Sequence, residues 1–129
     1  MKTKISDRGE YMVVEISGYL NFETANPVAQ QIERLYANDP QSKVVIDLSG
    51  LEFVGSSGIS NFVKSLRVFN RSRVKPAYFG VKSEFVRLFR AFEEGSPFDI
   101  WNDLEEAKDS ALKRYQEWEI RTPRSKRTH

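Results

Sequence analysis

The sequence predicts a single α/β domain, a small mixed β-sheet of about four or five strands covered by about four helices. Three observations carry this. Two apolar runs flank a short turn near the N-terminus, which is the pattern of a hairpin. Beyond it, β-branched runs alternate with segments of helical period, giving a βαβα order. The length, 129 residues, suits one domain with room for a proper core.

The hairpin is expected from Lys2–Ser6 and Tyr11–Ser17, joined by Asp7-Arg8-Gly9, with Gly18 ending the second strand. The first helix is expected to start near 24–26, with Thr24 or Asn26 as cap. Pro27 then falls in the first turn, where a missing N–H has no consequence. Val28, Ile32, Leu35 and Tyr36 form its apolar stripe, and Asn38-Asp39-Pro40 stops it.

The centre of the chain is Lys43–Asn70, KVVIDLSGLEFVGSSGISNFVKSLRVFN. Val44-Val45-Ile46 is a β-branched run of the kind buried in a sheet. A loop through Ser49-Gly50 is expected to lead to Leu51, Phe53 and Val54, and then to Gly55-Ser56-Ser57-Gly58. From there the period changes. Ile59, Phe62, Val63, Leu66 and Phe69 recur at helical spacing, with Ser60, Asn61, Lys64 and Arg67 on the other face. Two serines therefore stand at a helix N-terminus, where unpaired N–H groups and the helix dipole favour negative charge. The same serines also suit a plain helix cap.

Lys75–Val81 reads as a further strand, with Pro76 at its start. Ser83 is expected to cap a helix whose Phe85, Leu88, Phe89 and Phe92 form a core-facing stripe, with Gly95 as its stop. Pro97–Trp101 is a candidate last strand. Asp103 with Glu106 resembles a capping box for a final helix striped by Leu104, Ala107, Ala111, Tyr115 and Trp118. The domain is expected over 1–119. Residues 120–129 form a basic tail, expected to be disordered.

Composition excludes several functions. With no cysteine there is no disulfide frame and no thiolate chemistry. The single histidine is His129, so neither a Ser-His-Asp triad nor a histidine-based metal site can form. The glycines from Gly50 to Gly58 lack the Gly-Lys-Ser/Thr of a P-loop. Asp47, Glu52 and Asp99 are the carboxylates that could pair for acid–base work, with a loop or capping role favoured for Asp47. No enzyme, cofactor or metal is expected. The net charge is +2, but Arg121, Arg124, Lys126 and Arg127 concentrate four positive charges in the tail. The body is left near −2, which does not suggest nucleic-acid binding. No apolar run approaches the roughly 20 residues that span a bilayer, and MKTKISDRGE lacks an apolar signal core. A cytoplasmic protein is expected.

Ile46-Asp47-Leu48-Ser49 followed by Phe53-Val54-Gly55-Ser56-Ser57-Gly58-Ile59 resembles the signature of STAS domains, the family of bacterial anti-sigma-factor antagonists. Gly18-Tyr19-Leu20-Asn21-Phe22-Glu23-Thr24-Ala25 resembles a second family pattern, Gly-x-Leu-Asp-x-x-Thr-Ala, and Ser83–Gly95 resembles the family's later helix. The likeness covers most of residues 1–115. It implies a regulatory binding domain whose protein partners are an anti-sigma serine kinase and a phosphatase. It also implies phosphorylation of Ser56, with Ser57 as second candidate, and a partner surface of Asn21, Phe22, Gly55, Ser56, Ser57, Gly58 and Asn61. Tyr19 and Phe22 are candidates for an exposed apolar patch there.

The chain departs from the pattern where the family's Asp before the serines is Gly55, and where its acidic residue after Leu20 is Asn21. Gly55 removes a carboxylate that could orient the hydroxyl or be read by a kinase. A second reading therefore stays open: a non-phosphorylated STAS subunit of an ABC-type lipid transport system or of a sensory scaffold. In that case membrane association would be peripheral, through a partner.

Overall fold

The computed structural model describes the backbone of residues 2–20, 22–39, 41–53, 56–71 and 74–121, and their side chains except at 22–25, 53 and 56–58. The elements in order are β1 (Lys2–Asp7), β2 (Met12–Leu20), α1 (Phe22–Asn38), β3 (Val44–Phe53) and α2 (Ser56–Arg67). A 3-10 turn follows at Val68–Arg71. Then come β4 (Ala77–Phe79), α3 (Ser83–Ala91), β5 (Asp99–Trp101) and α4 (Leu104–Arg121). The five strands form one mixed sheet in chain order. β1 is antiparallel to β2, and all later neighbours are parallel.

Alternation along the strands divides the core in two. Val14, Ile16, Val44, Ile46, Leu48 and Tyr78 point to the face carrying α1, α2 and α3. The stripes read from the sequence supply the other side of this layer: Val28, Ile32, Leu35 and Tyr36 from α1, and Ile59, Phe62, Val63 and Leu66 from α2, with Phe69 in the turn beyond. Val45 and Ala77 point the other way, onto Ala107 and Ala111 of α4. Small residues let that helix lie close to the sheet. On α3 only Phe89 is fully buried, while Phe85, Leu88 and Phe92 pack partly buried against the core.

Several boundaries differ from the sequence reading. β2 continues through Gly18, whose φ of 99° marks a local distortion rather than an end. β3 likewise runs unbroken through Ser49-Gly50 where a loop was expected. The register explains it: Glu15 pairs with Asp47 but Ser17 with Gly50, so two residues of β3 bulge opposite Ile16. Gly50 makes the close approach possible, since a Cβ there would meet the Ser17 Cβ at 2.9 Å. Asp47 is thus a strand residue, although its carboxylate still acts locally, accepting the Ser49 N–H at 2.9 Å and hydroxyl at 2.6 Å.

α1 begins at Phe22, so Thr24 and Asn26 lie inside it and neither caps it. Pro27 falls in the second turn and denies the carbonyl of residue 23 its helical donor. At α3 the N-cap is Lys82, in extended conformation and without a side-chain cap bond, rather than Ser83. The helix ends on Phe92 before Gly95, which instead shapes the following turn with Glu94 (φ 84° and 43°). β4 is three residues, shorter than the expected 75–81. Of the capping box read for α4, the Asp103 half is seen: the Glu106 N–H donates to the Asp103 carboxylate at 2.8 Å. That helix continues to Arg121, beyond the boundary expected at 119; residues 122–129 of the tail lie outside the described residues.

Candidate functional site

The register puts two strand ends side by side. Leu20, the last residue of β2, pairs with Phe53, the last residue of β3. Parallel neighbours stand about 4.8 Å apart. The connection from Leu20 into α1 and the one from Phe53 into α2 therefore leave the sheet at the same level, at the carboxyl ends of adjacent strands. That end of an open α/β sheet is where ligands and partners are commonly met.

α2 opens at Ser56, so both candidate serines fall in its first turn by sequence position. That turn contains no acidic residue, while Lys64 and Arg67 occupy the last turns, where the dipole favours positive charge. The helix is anchored along its whole length by Ile59, Phe62, Val63 and Leu66, each at most 3% exposed. An anion at its head would thus meet a fixed dipole end. Of the other expected site residues, Asn21 and Gly55 lie outside the described residues, as do the side chains of Phe22, Ser56 and Ser57, while Gly58 falls in the first turn of α2. Asn61 is half-buried on α2, and its carbonyl accepts the Ser65 hydroxyl at 2.9 Å. Tyr19, one position before Leu20, is 62% exposed.

The three carboxylates considered for acid–base work are not brought together. Asp99, on β5, is engaged by the Trp101 indole N–H at 2.8 Å, the Ser110 hydroxyl at 2.5 Å and Arg114 at 3.3 Å. Asp47 lies two strands away on β3, held to Ser49. Glu52 is exposed, five residues further along β3 and so roughly 16 Å from Asp47 along the strand. Among the described residues no group of histidine, cysteine, aspartate and glutamate could hold a metal ion, and no helix is long and apolar enough to cross a membrane.

Some exposed apolar residues escaped the sequence reading: Ile5, Ile120 and, just beyond α2, Val68, which is 67% exposed. The available signal at Val68 was an apolar residue off the buried stripe, which a search for core faces passes over.

The STAS domain family matches residues 2–107. An anti-sigma factor antagonist from Mycobacterium paratuberculosis superposes with a TM-score of 0.61 at 22% identity, covering 85% of this chain and 92% of its own. An uncharacterised protein of the DUF3478 family from Shewanella loihica, described as having a SpoIIAA-like fold, superposes with a TM-score of 0.55 at 18% identity, covering 84% and 90%. No curated protein matches by sequence. At these identities the likeness to the two solved structures is one of fold.

Proposed function

Because the chain belongs to the STAS domain family, we propose that it is a non-enzymatic regulatory binding domain, docking a protein partner at the head of α2 and released by phosphorylation of Ser56. The partner in this reading is a serine kinase of the anti-sigma class, a phosphatase reverses the switch, and both act in the cytoplasm. The observation that supports it most directly is that α2 opens at Ser56, three residues after β3 ends at Phe53 level with the end of β2 at Leu20.

The physics of the switch is simple. A phosphoserine adds about −1.5 to −2 charges and three acceptor oxygens. The helix N-terminus that carries the group tolerates it. A partner packed over the same turn must instead desolvate a dianion. A 100-fold loss of affinity corresponds to about 2.7 kcal/mol, within reach of one misplaced charge at an interface. No change of fold is needed, and the kinase brings its own ATP.

The second reading, a non-phosphorylated subunit of a lipid transport system or sensory scaffold, draws on α4. The family match stops at residue 107, four residues into that helix, which continues to Arg121. The extra turns offer contact surface beyond the family's common part.

The test is capture from native extract by the wild-type chain and by Ser56→Asp, with bound proteins identified by mass spectrometry. Recovery of a serine kinase by wild type alone supports the switch. Equal recovery of transporter or scaffold components by both chains rejects it and favours the second reading.

A further inference from the structure

Between Glu52 and Glu84 the chain contains no acidic residue and six cations, Lys64, Arg67, Arg71, Arg73, Lys75 and Lys82. α2 and the 3-10 turn after it lie within this run, so the helix that opens at Ser56 carries no carboxylate. Two of the cations are engaged within the fold. Arg67 pairs with Glu94 at 3.0 Å, and Lys75 donates to the Pro97 carbonyl. Lys64, Arg71 and Lys82 are exposed, Arg73 lies outside the described residues, and the 67% exposed Val68 stands between Lys64 and Arg71. The Lys64 ammonium rests over the Phe92 ring, 5.3 Å from its centroid, at the surface.

Spacing makes these residues one stripe. Lys64 and Val68 are i, i+4 neighbours on a helix, and Val68 and Arg71 are i, i+3 neighbours, which eclipse in a 3-10 turn. Asn61, one turn before Lys64, leads the same face back to the start of α2. The opposite face is the buried one, through Phe62, Val63, Leu66 and Phe69.

We propose that Lys64, Val68 and Arg71 extend the partner surface along α2, and that the partner meets them with an acidic protein face holding an apolar contact for Val68. This deepens the reading of α2's N-terminus as the docking end, and rests on it. Charge complementarity fixes the class of partner. An acidic face gains from both cations, and a dianion on Ser56 at the head of the same helix repels the part of that face nearest to it. An anionic membrane is the weaker fit. Two exposed cations contribute about 1 kcal/mol each at such a surface, and one valine adds little insertion.

The test titrates the isotopically labelled full chain with an acidic amphipathic peptide of Glu and Leu, followed by amide chemical shifts. A parallel titration uses vesicles of phosphatidylserine and phosphatidylcholine. The variants are Val68→Asp, the double Lys64→Glu/Arg71→Glu, and Lys113→Glu on α4 as a control; all four positions are exposed, and dispersed spectra verify folding. Shifts centred on 61–71, binding weakened about tenfold or more by each stripe variant and unchanged in the control, and loss of affinity with salt are the expected result. Shifts mapping elsewhere, stripe variants that bind like wild type, no binding of the peptide, or tighter binding to vesicles than to peptide each overturn the proposal. The assay uses neither extract nor a Ser56 variant, so its failure is distinguishable from failure of the phosphorylation switch.

Discussion

Asp99 on β5 accepts the Ser110 hydroxyl of α4 at 2.5 Å, and this carboxylate is the main polar tie between the last strand and the last helix. Its side chain is only 9% exposed, and it also takes the Trp101 indole N–H and Arg114. β5 has three residues and lies at a sheet edge, so it has little else to fix its distance from the helix.

Asp99→Ala is therefore expected to destabilise the chain by about 2 kcal/mol, since it removes three hydrogen bonds at once while water reaches the exposed Trp101 and the partly exposed Arg114. Ser110→Ala removes one bond of the set and is expected to cost about 1 kcal/mol. Urea unfolding followed by far-UV circular dichroism separates the two. Equal and small losses would show that the small residues Ala107 and Ala111, rather than Asp99, hold α4 in place.

Two glycines separate backbone strain from crowding. Gly9 (φ 86°) and Gly80 (φ 76°) both need the left-handed region, but a Cβ on Gly9 would meet nothing within 4 Å. On Gly80 it would lie 2.6 Å from the Ser49 backbone nitrogen. Gly9→Ala is expected to cost about 1–2 kcal/mol, the strain alone. Gly80→Ala is expected to cost clearly more, because β3 cannot recede without breaking its register with β2 and β4. The melting temperatures of the two variants check the order.

The buried stripes were legible because they depend only on period: every apolar residue assigned to α1, and Ile59, Phe62, Val63, Leu66 and Phe69, lies in the core. The change of period after Gly58 showed that a helix follows, and the structure starts α2 slightly earlier, at Ser56. Boundaries were less legible where neighbours decide them. Ser49-Gly50 reads as a loop in isolation, yet pairing with β2 and a bulge opposite Ile16 keep it in the sheet. Ser83 has the chemistry of a cap, but the extended backbone of Lys82 takes the position. Of the candidate site, the ending of β2 and β3 at one level was not legible, because it depends on the pairing of Leu20 with Phe53. Nor was the stripe through Val68, because residues on the solvent face obey no packing period, and a partner's half of an interface is not written in this chain.

The cap of α4 gives a third prediction. Asp103 accepts the Glu106 N–H at 2.8 Å, and the Ala107 N–H reaches the Asp103 carbonyl at 3.2 Å. Asp103→Ala is expected to cost about 1 kcal/mol, and Asp103→Asn much less, since the amide oxygen can also accept the bond. Hydrogen exchange should show the loss first at 104–107, where the helix starts. Loss spread evenly over α4 would mean that the cap does not govern its first turn.

Two buried tyrosines with different partners give the last. The Tyr36 hydroxyl donates to the Val74 carbonyl at 3.3 Å. The Tyr78 hydroxyl, fully buried beside the edge-on rings of Phe89 and Phe98, finds no hydrogen-bond partner among the described residues. Tyr36→Phe is expected to lose about 1 kcal/mol, whereas Tyr78→Phe is expected to be neutral or stabilising, because it removes a buried polar group that gains nothing in the fold. Burial raises both phenols above their ordinary value of 10.0, since the ionised form is the one penalised. The folded chain thus keeps two protons that the unfolded chain releases above that pH. Their contribution is fully present below pH 10 and declines as pH rises, by about 1.4 kcal/mol per pH unit for each tyrosine. Urea midpoints measured from pH 8 to 11 should fall steeply in the wild type and less steeply in the double Phe variant. Parallel curves for the two chains would assign the alkaline loss to other groups.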